Sequence, residues 1–317
     1  MTKDEIFAAM KAGGEIDMKG ADVALDHVRG LSGFALRNGT LRGAYFRDCS
    51  DIVIERVNLV CPPATVASAS AYRFHQCAGV RVRDCNVAGE SDDPVDWFGA
   101  ALMFSNSRDW KVSGSEITRV QFGVSWMNAA DAGAIDNHIH HIREDAIRGG
   151  AGTARMNIAG NRCHDFYPQG PEHVDGIQIW TDPILPSEDI IVSGNHLWRG
   201  DGKIFQGIFL RHYENQKAFT RLLVEDNIIA GPMWHGLLTS GDATVRNNLL
   251  YAFEDHRSWS RHDTAAGEGK AVWAPQLPAD KAMAAIRLHE ASQDSRAIEA
   301  ELERLRGMVD QVRAVVA

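Results

Sequence analysis

The chain has 317 residues, 44% of them hydrophobic and 24% charged, and a formal net charge of −9. The composition is ordinary for a soluble globular protein, and the length suits one large domain with an appendage. The acidic excess argues against general nucleic-acid binding, and no run approaches the ~18 apolar residues of a membrane span, so neither is an expected partner.

Residues 1–20 read as an N-terminal cap. Asp4, Glu5, Glu15 and Asp17 interrupt any apolar run, so this is not a secretory signal and synthesis in the cytoplasm is expected. Residues 2–12 place Ile6, Phe7 and Met10 on one side of a short helix. Such a helix can plug the open end of a solenoid, which otherwise exposes a sheet edge.

Residues 21–253 are dominated by one recurring phrase: two apolar residues bracketing a small polar one. The marked residues are Val57, Cys85, Ser115, Asn137, Asn161, Asn195, Asn227 and Asn248, spaced 21 to 34 residues apart. The phrase alternates with period two, as a half-buried strand does. The Asp, Gly or Asn before most marked residues suits a tight bend. A second phrase places Val124, Ile147, Ile177, Ile208 and Leu237 inward. A third aligns Phe46, Phe74 and Phe104 in step with the first. Short strands that cannot bury a face alone must stack on their own copies, which predicts an all-β fold, a right-handed parallel β-helix. Propeller blades are longer and carry Gly-His and Trp-Asp marks missing here. The Asn residues are read as a structural ladder. Cys49, Cys77, Cys85 and Cys163 sit at repeat positions and are read, with Cys61, as free thiols rather than a disulfide frame.

Residues 254–280, rich in Gly, Pro, Ala and charge, are read as a linker or irregular cap. In residues 281–317 the period changes. Leu288, Ala291, Ser295, Ile298, Leu302, Leu305, Val309, Val312 and Val316 alternate by three and four, a coiled-coil-like seam. It predicts a homo-oligomer through a C-terminal helix, a trimer favoured. The alternative is an amphipathic helix lying on the solenoid.

A β-helix has no lumen, so ligands bind on a lateral face. The densest chemistry follows the long loop 165–172. His173 can exchange a proton near neutral pH, and Asp175 can orient it. Asp145 occupies the equivalent place one coil earlier, and Arg148 and Arg211 offer planar forks for a carboxylate. These five are the candidate catalytic residues. Gln178, Trp180, Phe209, Tyr167, Lys203 and Asp182 are the candidate substrate contacts. Against this, a lone His or Asp at a turn is more often solvated or capping. His138, His140, His141, His164 and His196 follow the repeat and are read as a polar surface stripe. No metal and no cofactor are expected.

The phrases over residues 158–164 and 192–198 resemble those of the pectate-lyase-like right-handed parallel β-helix superfamily, over roughly residues 22–253. The resemblance implies fold more than activity. Its members include polysaccharide lyases, glycoside hydrolases, uronate epimerases and bacteriophage tailspike depolymerases. The absent leader and the C-terminal helix point toward the tailspike type, a phage tail component made in the cytoplasm. No complete catalytic motif of one subfamily matches, so none is carried over.

Three functions follow. The first is β-elimination of an acidic polysaccharide: Arg148 or Arg211 neutralises the uronate, His173 takes the C5 proton, and Tyr167 or Lys203 supplies the acid. The second is hydrolysis of a capsule or O-antigen glycan by Asp145 and Asp175, with Asp182 and Glu172 as further candidates. Carboxylates ~5–5.5 Å apart would retain and ~6.5–9.5 Å apart would invert configuration. The third is a non-catalytic glycan-binding adhesin or spike.

Overall fold

A computed structural model describes residues 1–63, 69–264 and 269–288. The chain is a right-handed parallel β-helix whose strands stack into three parallel sheets. The first sheet runs from Gly14–Asp17 to Ala243–Arg246, and the second runs through His138–Ile142 to Leu249–Phe253. The third runs through Asp175–Trp180 and ends with Ser258–Asp263.

The sequence phrases are the columns of these sheets. Val112, Ala134, Ile158, Val192, Val224 and Val245 are paired in register in the first sheet. Ile117, Ile139, Cys163, Leu197, Ile229 and Leu250 do the same in the second. Val124, Ile147, Ile177, Ile208 and Leu237 form the inward column of the third, all buried. Phe46, Phe74 and Phe104 stack with ring centroids 5.0 and 4.8 Å apart. Each coil covers the apolar face of the last, so one core cluster runs along almost the whole solenoid.

The bend between the first and second sheets explains the marked residues. The residue before each one has left-handed backbone: Asp136 (φ 54°), Gly160 (φ 65°), Gly194 (φ 61°), Asp226 (φ 56°) and Asn247 (φ 55°). Asp, Asn and Gly tolerate that region best. The following Asn then points inward. The Asn161 side-chain oxygen accepts from the Asn137 backbone N–H at 3.1 Å and its side-chain amide at 3.0 Å, while Asn161 Nδ2 donates to the Ala134 carbonyl at 2.8 Å. Toward the N-terminus Ser115 takes over: its backbone N–H donates to Asn137 Oδ1, and its hydroxyl accepts from the Cys85 N–H.

The N-terminal helix, Lys3–Ala12, begins on a capping box: Thr2 Oγ1 accepts from the Glu5 N–H and the Glu5 carboxylate from the Thr2 N–H. Ile6 and Met10 join the core cluster, so the helix closes that end. All five cysteines are buried and free.

The C-terminal end departs from expectation. Residues 254–280 hold another strand rather than only a linker or cap: Ser258–Asp263 pairs in parallel with Trp234–Ser240, and Val272–Trp273 runs antiparallel to it. Gln276–Leu277 also extends the second sheet. Gly and Pro density marked turns here, while the strand between them was too polar to show alternation. A helix begins at residue 279, and its Ala282 and Ile286 pack on Ile228, Ala230 and Phe253. Its described part thus lies on the solenoid. Leu288 is exposed there, and the rest of the seam lies outside the described residues.

Candidate active site

The third sheet's outer face carries the expected patch. Loops 167–174 and 199–205 flank one edge, and loops 181–186 and 212–218 the other. Along one column, Arg148, Gln178 and Phe209 are paired on successive coils. Two residues along the strand, and so on the same face, Trp180 pairs with Arg211. Trp180 lies against the backbone of the preceding coil because Gly150 is there: a Cβ at Gly150 would stand 2.3 Å from the indole.

His173 and Asp175 form the centre. His173 Nδ1 lies 2.6 Å from Asp175 Oδ2; the imidazole is half exposed, whereas the carboxylate is fully buried. The contact with the buried carboxylate raises the His173 pKa above its ordinary 6.5. Gln178 Nε2 donates to the same Asp175 oxygen at 2.8 Å. Burial in turn raises the Asp175 pKa, against the pull of His173. The other oxygen, Oδ1, is buried with no hydrogen-bond partner among the described residues.

Asp145 sits one coil earlier and is also buried, accepting the Asp175 backbone N–H at 3.0 Å. Burial first, and then the nearby Asp175, hold its pKa well above the usual carboxylate range. Arg148 Nη1 lies 3.8 Å from Asp145 Oδ2, and its guanidinium covers the Phe122 ring. Because the folded-state pKa of Asp145 is raised, its charge costs stability increasingly as pH rises above the ordinary value of 3.8. Asp145→Asn keeps the acceptor and removes the charge. We expect it to match or exceed the parent's stability at neutral pH, by up to about 2 kcal/mol, with the difference shrinking as pH falls. Urea unfolding at two pH values checks this, and a less stable variant at the higher pH contradicts it.

Two further residues join the patch that the reading of the sequence did not select. Gln206 Nε2 contacts His173 Nε2 at 2.5 Å, and Gln206 Oε1 accepts from His235 Nδ1 at 2.7 Å. The result is a polar chain across three coils: Asp175, His173, Gln206, His235. The signal was present, since Asp145, Asp175, Gln206 and His235 all open the second phrase of their coils. Phe209 sets its ring edge-on to His173 and His235, at 5.2 and 5.5 Å. Beyond His235 the aromatic rings of Trp259, Trp234 and Trp273 follow, with Trp234 and Trp273 half exposed.

The other selected residues are placed as follows. Arg211 rests its guanidinium 5.3 Å from the Tyr213 ring and has no ion pair among the described residues. Tyr167 packs on Trp97 and His141, and Lys203 Nζ donates to the Pro168 carbonyl, so both are engaged with the loop edge. Asp182 Oδ1 accepts the Ile184 and Leu185 N–H groups, which hold its pKa down and make it a turn residue. Glu172 is tied to Arg143 at 2.6 Å.

No family model and no curated protein matches the chain. Among solved structures it is similar to a tailspike of Pseudomonas phage phi297, at 15% identity and a TM-score of 0.46, over 74% of this chain and 48% of that one. It is also similar to PfbA, a surface adhesin of Streptococcus pneumoniae (10%, TM-score 0.45, 81% of this chain and 74% of that one). An alginate lyase from Paenibacillus is similar at 14% identity and a TM-score of 0.41, over 78% of this chain and 88% of that one. The chain spans about half the length of the phage protein. At these identities the likeness is one of fold.

Proposed function

We propose that this chain is a carbohydrate-active enzyme that cleaves an acidic polysaccharide by β-elimination on the outer face of the third sheet. The observation that carries the reading is the His173–Asp175 pair: a half-exposed imidazole held through its inner nitrogen by a fully buried carboxylate. With Nδ1–H donated to Asp175, the free lone pair of a neutral His173 is on Nε2, where the Gln206 amide now donates. A substrate C–H must take the place of that amide. Elimination then moves the C5 proton to Nε2, forms the C4–C5 double bond and breaks the bond from C4 to the glycosidic oxygen. The same imidazole can return the proton to the leaving oxygen. Arg211, which has no ion pair among the described residues, is the cation for the uronate carboxylate; Arg148 is shared with Asp145 and Phe122. Phe209, Trp180 and the Trp234 group supply faces for sugar rings.

Hydrolysis by Asp145 and Asp175 is less well supported, because both carboxylates are buried and neither reaches an outward-bound glycan. The test is incubation with a panel of acidic exopolysaccharides, reading ultraviolet absorbance of unsaturated uronates beside reducing ends. Absorbance is expected. Reducing ends without it would turn the reading to hydrolysis, and binding without either would leave an adhesin.

A further inference from the structure

The histidine stripe on the second sheet brings a carboxylate and two imidazoles together. Glu116 pairs with His138 across adjacent coils, and His140 lies two residues further along the same strand. Period two therefore brings all three side chains to the same outer face. One potential ligand atom from each lies within 4.8 Å of the others, and Glu116 Oε1 is 3.0 Å from His140 Nε2.

The surrounding contacts fix which nitrogens are free. His164 Nδ1 lies 2.7 Å from Asp165 Oδ2, so its proton is on Nδ1 and its lone pair on Nε2. His138 Nε2 lies 2.8 Å from that lone pair and must donate to it. Nδ1 of neutral His138 is then bare. On His140, Nδ1 has His141 Nδ1 at 2.7 Å and Thr118 Oγ1 at 3.5 Å as partners, so a proton displaced from Nε2 has acceptors waiting. Each imidazole thus has an outer partner that orients the ring, as metal-binding histidines require.

We propose that Glu116, His138 and His140 form a binding site for a zinc-like divalent transition-metal ion, with the Asp165–His164 pair setting the His138 tautomer. Two imidazoles and a carboxylate suit Zn²⁺, whose bonds of ~2.0–2.2 Å need ligand atoms about 3.3 Å apart in a tetrahedron. Glu116 is half exposed, so its side chain can move into place. Three protein ligands leave a fourth position for water or an anionic group of a bound molecule. The site lies on a different sheet from His173 and does not depend on the proposed elimination.

Isothermal titration of the full chain with zinc chloride, at about pH 7.5 where imidazoles are mostly neutral, tests this. One zinc per chain is expected. His138→Ala and His140→Ala should each abolish saturable binding, and His164→Ala should weaken it by roughly tenfold. His27→Ala, a histidine elsewhere on the surface, should bind as the parent does. If circular dichroism shows that a histidine variant is misfolded, Glu116→Gln at an exposed position keeps the test and should still weaken binding. No saturable heat from the parent, unaltered binding by a folded Glu116→Gln, or an equal loss in His27→Ala overturns the site.

Discussion

His173→Ala should lower polysaccharide cleavage by roughly 10²–10⁴-fold, the range for loss of a general base. The side chain is half exposed and off the core, so the far-ultraviolet circular dichroism should not change. Asp175→Asn should also slow the reaction, because an amide cannot hold the Nδ1–H tautomer as a carboxylate does. The pH profile distinguishes a working pair from a structural one. The base acts only when neutral, and its pKa is raised by Asp175, so the rate should rise with pH through a limb above 6.5. In Asp175→Asn the imidazole loses its anion, and that limb should move to lower pH. A merely structural role for Asp175 would lower the rate without moving the limb. Undiminished turnover by both variants would remove His173 from the reaction.

The other large effect is on stability. Asn161 is fully buried in the middle of the ladder. Asn161→Ala would strand the Asn137 N–H and the Ala134 carbonyl, both of which it now satisfies. Each buried unpaired group costs about 1–3 kcal/mol, so the loss should be about 3–5 kcal/mol. Asn248→Ala, at the part-exposed end of the ladder, should cost less, about 1–2 kcal/mol, since water can replace its bonds to the Val224 and Arg246 carbonyls and can enter at that end to meet the Asn227 N–H and side-chain amide that its oxygen now accepts. Urea midpoints of the two variants measure the gradient. Equal losses would mean that the ladder is not the cooperative spine of the solenoid.

The fold was legible because a stacked coil repeats its constraints. Each turn needs a left-handed residue and an inward apolar residue, and from Asn137 onward an inward amide as well, so these recur along the chain in register. The same register placed Arg148, Gln178 and Phe209 in one outward column. Tyr167, Lys203 and Asp182 were harder to place, because they lie in loops, where no neighbouring coil constrains the backbone. Gln206 and His235 were passed over for a different reason. Each is an ordinary polar residue at a strand start, and its partner lies a coil away, a separation of 33 residues between Gln206 and His173.

Residue order alone thus determined the coil, its bends, its inward columns and which residues share an outward column, since each follows from local alternation and backbone preference repeated at every turn. Burial and hydrogen-bond direction came from packing between coils. Asp145 and Asp175 look alike in sequence, yet both are enclosed, and only Asp175 meets an imidazole. Stacking at the ~4.8 Å spacing of neighbouring strands turned isolated polar residues into the His173–Gln206–His235 chain and the Glu116–His138–His140 group. Those contacts depend on rotamers and loop paths that no repeat encodes.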